Sequence, residues 1–299
     1  MLEDVAHADA HRYGARDDAG VTLDCLKIVP ARAPGPRYIG IYHALIGDSF
    51  RLRVAVSDNL LDWHYAGDLD RGAAQGTIAA FGASGFIVAY EKRLADGIHV
   101  RLRDYATQDD LLAGRFGDQF TAPLTLAPTA EGTPSITRAS GGARPAASHI
   151  VLGMHYYRDA QVDREATATL DDFASWHAAP ATAINAEFAQ FDVRGNIGDR
   201  DPFTVSGREF TVYEAQKTPG DWSSWRTFLY DASAGRMVPL AMRTDGGSRA
   251  FGNPTATLVP GPSGGEVLVA TQFLFWEAAA PGEAGSLVYY RFLGGSDRA

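Results

Sequence analysis

A thirteen-residue segment of this chain has a similar counterpart, aligned without a gap, 113 positions later. Residues 54–66 read VAVSDNLLDWHYA and residues 167–179 read TATLDDFASWHAA. In that alignment Asp58 meets Asp171, Leu60 meets Phe173, Trp63 meets Trp176 and His64 meets His177. Internal similarity at a fixed spacing marks a fold built from stacked copies of one unit. Both segments join a strand-like alternation to a turn signal, so the repeated Asp, Trp and His suit a turn-and-packing role. The offset equals about two units of 56 residues, and five such units fill the 299-residue chain.

The units are made of strands. Apolar residues alternate with period 2 through RYIGIYH (37–43), RLRVAVS (51–57), GFIVAYE (85–91), GIHVRLR (97–103) and IVLGMHYY (150–157). Long stretches with helical period are absent. Segments resembling unit starts occur at 22–28, 73–79, 131–137, 199–205 and 251–257. Each precedes a second strand that ends on a polar residue: His43, Glu91, His155, Glu214 and Gln272. The pattern predicts an all-β fold, a five-bladed β-propeller with four-stranded antiparallel blades around a central channel. It predicts one domain over residues 1–299. The fifth unit lacks an outer strand, which residues 1–20 could supply. The Gly/Pro-rich stretches 31–36 and 139–147 read as loop tips.

Composition narrows the partners. Asp and Glu total 36 against 27 Lys and Arg, a net charge of −9. That balance lacks the basic footprint of nucleic-acid or anionic-lipid binding. Cys25 is the only cysteine, which excludes an intramolecular disulfide and a cysteine zinc site. The first fourteen residues have no basic start and no apolar run, so the expected location is cytoplasmic.

In a propeller the first strand of each blade lines the channel. The predicted ring at its mouth is Asp24, Gln75, Thr133, Asp201 and Asn253, joined by the ends of the second strands. Polar groups are costly to bury without partners, so this convergence predicts a polar pocket. Two histidines and two glutamates in it could hold a divalent metal, although no cofactor is required. Trp222 and Trp225, in TPGDWSSWR, suit either a stacking platform or packing over a blade edge.

Several motifs resemble the five-bladed glycosidase superfamily of family 43 arabinanases and xylosidases and their invertase and levansucrase relatives. SDNLLDWHYAGDL (57–69) is similar to a segment common there, Arg200-Asp201-Pro202 to the Arg-Asp-Pro of the invertase branch, and Glu131-Gly132-Thr133-Pro134 to the setting of a general acid. The resemblance implies a hydrolase of a small glycoside or oligosaccharide. Asp24 would be base or nucleophile, Glu131 the acid, and Asp201 the group that orients the sugar and raises the acid's pKa. Arg200 would steady Asp201 or a ligand hydroxyl. His43, Gln75, Glu91, His155, Glu214, Asn253 and Gln272 would contact substrate. The chain departs from the family in carrying its Glu on unit three and Arg-Asp-Pro on unit four, and in Cys25 following Asp24 where the family has Pro. Glu91 and Glu214 are therefore alternatives for the acid. Two further expectations remain: a non-hydrolytic lyase, isomerase or cyclase using the His/Glu ring, and a propeller that binds without catalysis.

Overall fold

In the computed structural model five four-stranded antiparallel sheets form a ring. Residues 1–32, 34–141, 145–159 and 161–294 are described. Residue 33 and residues 142–144, within the stretches read as loop tips, lie outside the described residues, as do residue 160 and residues 295–299 of the expected 1–299 domain.

A short first strand, β1 (Ala10–Arg12), precedes blade one, which is β2 (Asp24–Pro30), β3 (Tyr38–Ile46), β4 (Ser49–Ser57) and β5 (His64–Arg71). Blade two is β6 (Ala73–Phe81), β7 (Gly85–Arg93), β8 (Ile98–Tyr105) and β9 (Gln119–Thr121). Blade three is β10 (Glu131–Gly141), β11 (Ser148–Arg158), β12 (Val162–Asp171) and β13 (Ser175–Pro180). Blade four is β14 (Ile197–Val205), β15 (Arg208–Gln216), β16 (Trp225–Asp231) and β17 (Arg236–Pro239). Blade five has β18 (Phe251–Pro260), β19 (Glu266–Leu274) and β20 (Gly285–Phe292), and its outer strand is β1, paired with β20 through Ala10–Tyr290 and Arg12–Val288. The first and last parts of the chain thus share one sheet, which closes the ring without a free edge between them.

The first strands of successive blades touch one another around the axis. Apolar clusters fill the spaces between neighbouring sheets. Ile41, Val54, Ile78 and Val88 join blades one and two, and Leu26, Trp63, Val267 and Val288 join blades five and one. A middle strand is therefore covered on both faces, and β3 is buried along Tyr38–Ala44 regardless of its alternation. The repeated motif lies at the β4–β5 and β12–β13 turns, where Leu60 (φ 70°) and Phe173 (φ 53°) take the same left-handed conformation. Two short helices not evident from the sequence period, α1 (Gln108–Leu112) and α2 (Thr182–Ala189), occupy connections in blade two and between blades three and four. No helix of the described residues is long and apolar enough to cross a membrane.

Candidate active site

Every blade's inner strand opens with a bulge, and the bulges build the channel mouth. The ladder skips a step after Asp24–His43, Ala74–Glu91, Gly132–His155, Ile197–Ala215 and Gly252–Phe273. The residue just past the skip is left-handed in four blades: Cys25 (φ 52°), Gln75 (49°), Thr133 (45°) and Asn253 (47°). Such a backbone is unfavourable for these residue types and persists only where surroundings fix it. The fixing groups are on the preceding blade's second strand. His43 Nδ1 accepts the Gln75 N–H at 3.2 Å, Glu91 Oε1 the Thr133 N–H at 2.8 Å, and Glu214 Oε2 the Asn253 N–H at 2.7 Å. Three of the five polar ends of the second strands, His43, Glu91 and Glu214, are thus clasps between blades.

This register corrects the predicted ring. Gln75, Thr133 and Asn253 are equivalent, but Cys25 rather than Asp24 is their counterpart in blade one, and Gly198 in blade four. Asp201 lies three residues deeper, inside the channel and 2% exposed. There it is ion-paired with Lys27, accepts the Ala256 N–H at 2.9 Å and faces Ser135 Oγ at 3.4 Å. Burial raises its pKa while Lys27 opposes the rise. A shared Arg-Asp-Pro string could not reveal this depth, because depth depends on where the strand's ladder begins, and in blade four that is Ile197–Ala215.

Glu131 is also not part of the mouth. It is 1% exposed, and its Oε1 accepts the backbone N–H groups of Thr125, Leu126 and Ala127, the last at 3.1 Å. A carboxylate held this way anchors the loop before β10. Arg200 does not pair with Asp201. Its Nε lies 2.7 Å from Glu165 Oε2, Nη1 donates to Thr133 O at 2.6 Å, and Nη2 donates to Gly198 O. Gln272 is buried and accepts from Thr227 Oγ1 at 3.3 Å between blades four and five.

What does meet at the mouth comes from all five blades. Asn253 Nδ2 donates to Asp24 Oδ1 at 2.7 Å, and Gln75 Nε2 donates to Asn253 Oδ1 at 3.2 Å. His43 Nε2 lies 3.4 Å from Asp24 Oδ2, and since His43 Nδ1 accepts from Gln75, the Nε2 atom carries the proton toward Asp24. The Asp24 side chain is 21% exposed. Glu214 lies lower, 5% exposed, with Oε1 accepting the Asp199 N–H at 2.8 Å. Its approach to two backbones requires glycine, since a Cβ at Gly198 or Gly252 would collide with its carboxyl oxygens. Burial, then the like charges of Asp199 and Asp24, push the Glu214 pKa up to about 8. Burial likewise lifts Asp199 to about 7, and that residue accepts from Cys25 Sγ at 2.9 Å.

Across the mouth, Glu91 accepts from Thr133 Oγ1 at 2.7 Å, and His155 Nε2 stands 3.7 Å from Glu91 Oε1 and 3.8 Å from Asp163 Oδ1. Burial lowers His155 to about 4 and raises Asp163 to about 6. Asp163, at the head of a third strand in an unremarkable QVDREAT stretch, had no signal in the sequence. A cavity of about 360 Å³ lined by His43, Leu45, Phe50, Gln75 and Glu91 opens beside this group. Among the described residues, no three His, Cys, Asp or Glu side chains are grouped to hold a metal ion.

No protein-family model matches the sequence, and no curated protein matches it. Solved structures do. One described as a glycoside hydrolase is 12% identical, with a TM-score of 0.62, over 100% of this chain and 94% of its own. A thermostable family-43 glycoside hydrolase is 13% identical, with a TM-score of 0.58, over 96% of this chain and 94% of its own. A family-43 endo-arabinanase from Bacillus licheniformis is 10% identical, with a TM-score of 0.53, over 93% and 96%. At these identities the likeness is one of fold: the chain is a five-bladed β-propeller of the kind found in family-43 glycoside hydrolases.

Proposed function

We propose that the protein hydrolyses a small glycoside at the channel mouth, with Asp24 as base or nucleophile and Glu214, in place of Glu131, as general acid. The observation that carries this reading is the linkage through Asn253, whose side chain holds Asp24 while its backbone N–H holds Glu214. Two carboxyls bonded to one intervening residue suit the arrangement of a glycosidase pair, which needs a separation of about 5–10 Å. Their environments differ as an acid–base pair requires. Asp24 is open to the mouth and bonded by a donor, whereas buried Glu214, at about 8, retains its proton at neutral pH. Glu214 would protonate the departing oxygen, and Asp24 would activate water or attack the anomeric carbon. His43 would orient Asp24. The likeness of fold supports this chemistry by analogy.

The test is a panel of 4-nitrophenyl and methyl glycosides offered to the wild type, Asp24→Ala and Glu214→Gln. Turnover should fall by about 10²–10⁴ in Asp24→Ala with the nitrophenyl panel and in Glu214→Gln with methyl glycosides, whose alkoxide cannot leave unprotonated, and azide should restore part of it in Asp24→Ala. Turnover unaffected by both substitutions would remove the assignment.

A second reading is favoured by one observation: burial holds His155 neutral, its Nδ1 has no hydrogen-bond partner among the described residues, and Glu91 and Asp163 flank its Nε2. That set suits proton transfer in a non-hydrolytic reaction. In that case His155→Gln abolishes deuterium exchange into a substrate in heavy water, and Asp24→Ala does not.

A further inference from the structure

Four aromatic rings form one continuous cluster on the mouth face, carried by blades four and five and their outgoing loops. Trp222 and Trp225 have centroids 6.3 Å apart, Phe275 lies 5.2 Å from the first and 5.9 Å from the second, and Phe273 lies 5.6 Å from Phe275. Trp222 is 51% exposed, and the neighbouring Trp276 is 71% exposed. Two of the other exposed rings are covered by cations: Arg53 sits 3.8 Å from the Tyr65 centroid and Arg103 4.0 Å from that of Phe116. Among the described residues no cation covers Trp222 in this way.

The polar groups of the Trp222 loop are already engaged. Asp221 Oδ1 accepts from Ser223 N and Oγ, Ser224 Oγ bonds to Thr218 and to Asp221 O, and Arg226 donates to Ser223 O. The loop therefore offers a ligand ring faces and few free hydrogen-bonding side chains. A sugar unit needs such partners, because polar groups desolvated without them are penalised. A flat apolar group needs only an offset or edge-on ring. The Trp225 Nε1–H, buried in the cluster without an acceptor among the described residues, would suit one acceptor atom on that group.

The cluster abuts the general acid. A Cβ at Gly252 would lie 2.5 Å from Glu214 Oε2 and 2.6 Å from the Phe275 ring, so the two are neighbours across one glycine. We infer that the departing group is aromatic, seated on Trp222 and Phe275, so that the substrate is an aryl glycoside. This rests on the acid–base reading, since a general acid stands beside the oxygen that leaves. The glycosidic C–O bond breaks with its electron pair going to the aryl oxygen, which takes the Glu214 proton. Water supplies the new bond to the anomeric carbon and gives its proton to Asp24, and the products are a free sugar and an aryl alcohol.

Calorimetric titration of the full chain with 4-nitrophenyl and methyl glycosides of the same sugars tests this. Aryl glycosides should bind about tenfold or more tightly than their methyl counterparts, and 2-naphthol alone should bind. Trp222→Ala should remove that preference while leaving the melting temperature and methyl-glycoside affinity unchanged; Phe275→Leu should weaken it. Equal affinity for the two series, including none for either, or an unaltered preference in Trp222→Ala, overturns the inference. An aryl preference that Trp222→Ala abolishes, with no turnover of any glycoside, upholds the aromatic seat and removes the acid–base reading instead.

Discussion

Lys27 on the inner strand of blade one and Asp201 on that of blade four are ion-paired inside the channel, both buried. Their blades are not neighbours in the ring, so the pair ties opposite sides of the axis together. Removing one partner of a buried pair strands the other charge, at about 3–5 kcal/mol. Urea unfolding should show Asp201→Ala destabilised by that order, and Lys27→Met with Asp201→Leu should recover most of it. An Asp201→Asn protein of normal stability but without turnover would make Asp201 a reacting group after all.

Glu131 gives the contrasting case. Its replacement by Ala leaves the N–H groups of residues 125–127 without their acceptor, which costs about 1–3 kcal/mol. Turnover by the folded fraction should stay at the wild-type level. A specific loss of turnover, with the melting temperature kept, would restore Glu131 as the acid.

Asp199 sets a pH dependence. Burial raises its pKa from 3.8 to about 7, so the folded chain retains a proton that the unfolded chain releases from about pH 4 upward. The native state binds more protons in this window, and this group's contribution to stability falls as pH rises from about 4 to about 7. Asp199→Asn should therefore flatten the measured stability profile there. It also removes a like charge that helps lift Glu214. The alkaline limb of the pH–rate profile should move below its expected position of about 8.

Ring closure depends on the first residues. Beyond the β1–β20 ladder, Tyr289 Oη donates to Leu2 O at 2.8 Å and Arg291 Nη2 to Asp4 O at 2.7 Å, and Val5 is fully buried. Deleting residues 1–12 exposes β20 as an edge, and such edges pair between molecules. Light scattering should reveal association of the truncated chain together with a lowered melting temperature.

The sequence by itself determined the number of blades, the alternation of their strands and, to within about two residues, where each blade begins. Period-2 patterning, the turn motif at 58–64 and 171–177 and the spacing of the units are local properties, written in neighbouring residues. It also marked His43, Gln75, Glu91 and Asn253 as polar residues where a buried strand would otherwise be apolar. What only the tertiary structure decided was depth and partnership. Blade four enters the channel three residues earlier than its sequence suggests, which sets Asp201 inside, where Lys27, 174 residues away, pairs with it. A connecting loop captured Glu131, and Glu165, from another strand, took Arg200. Whether a carboxylate reacts or braces depends on its solvation and on the donors around it. Those donors came from blades the chain reaches only after folding, so residue type and spacing could nominate Asp24, Glu131, Asp201 and Glu214 together but could not tell their surroundings apart.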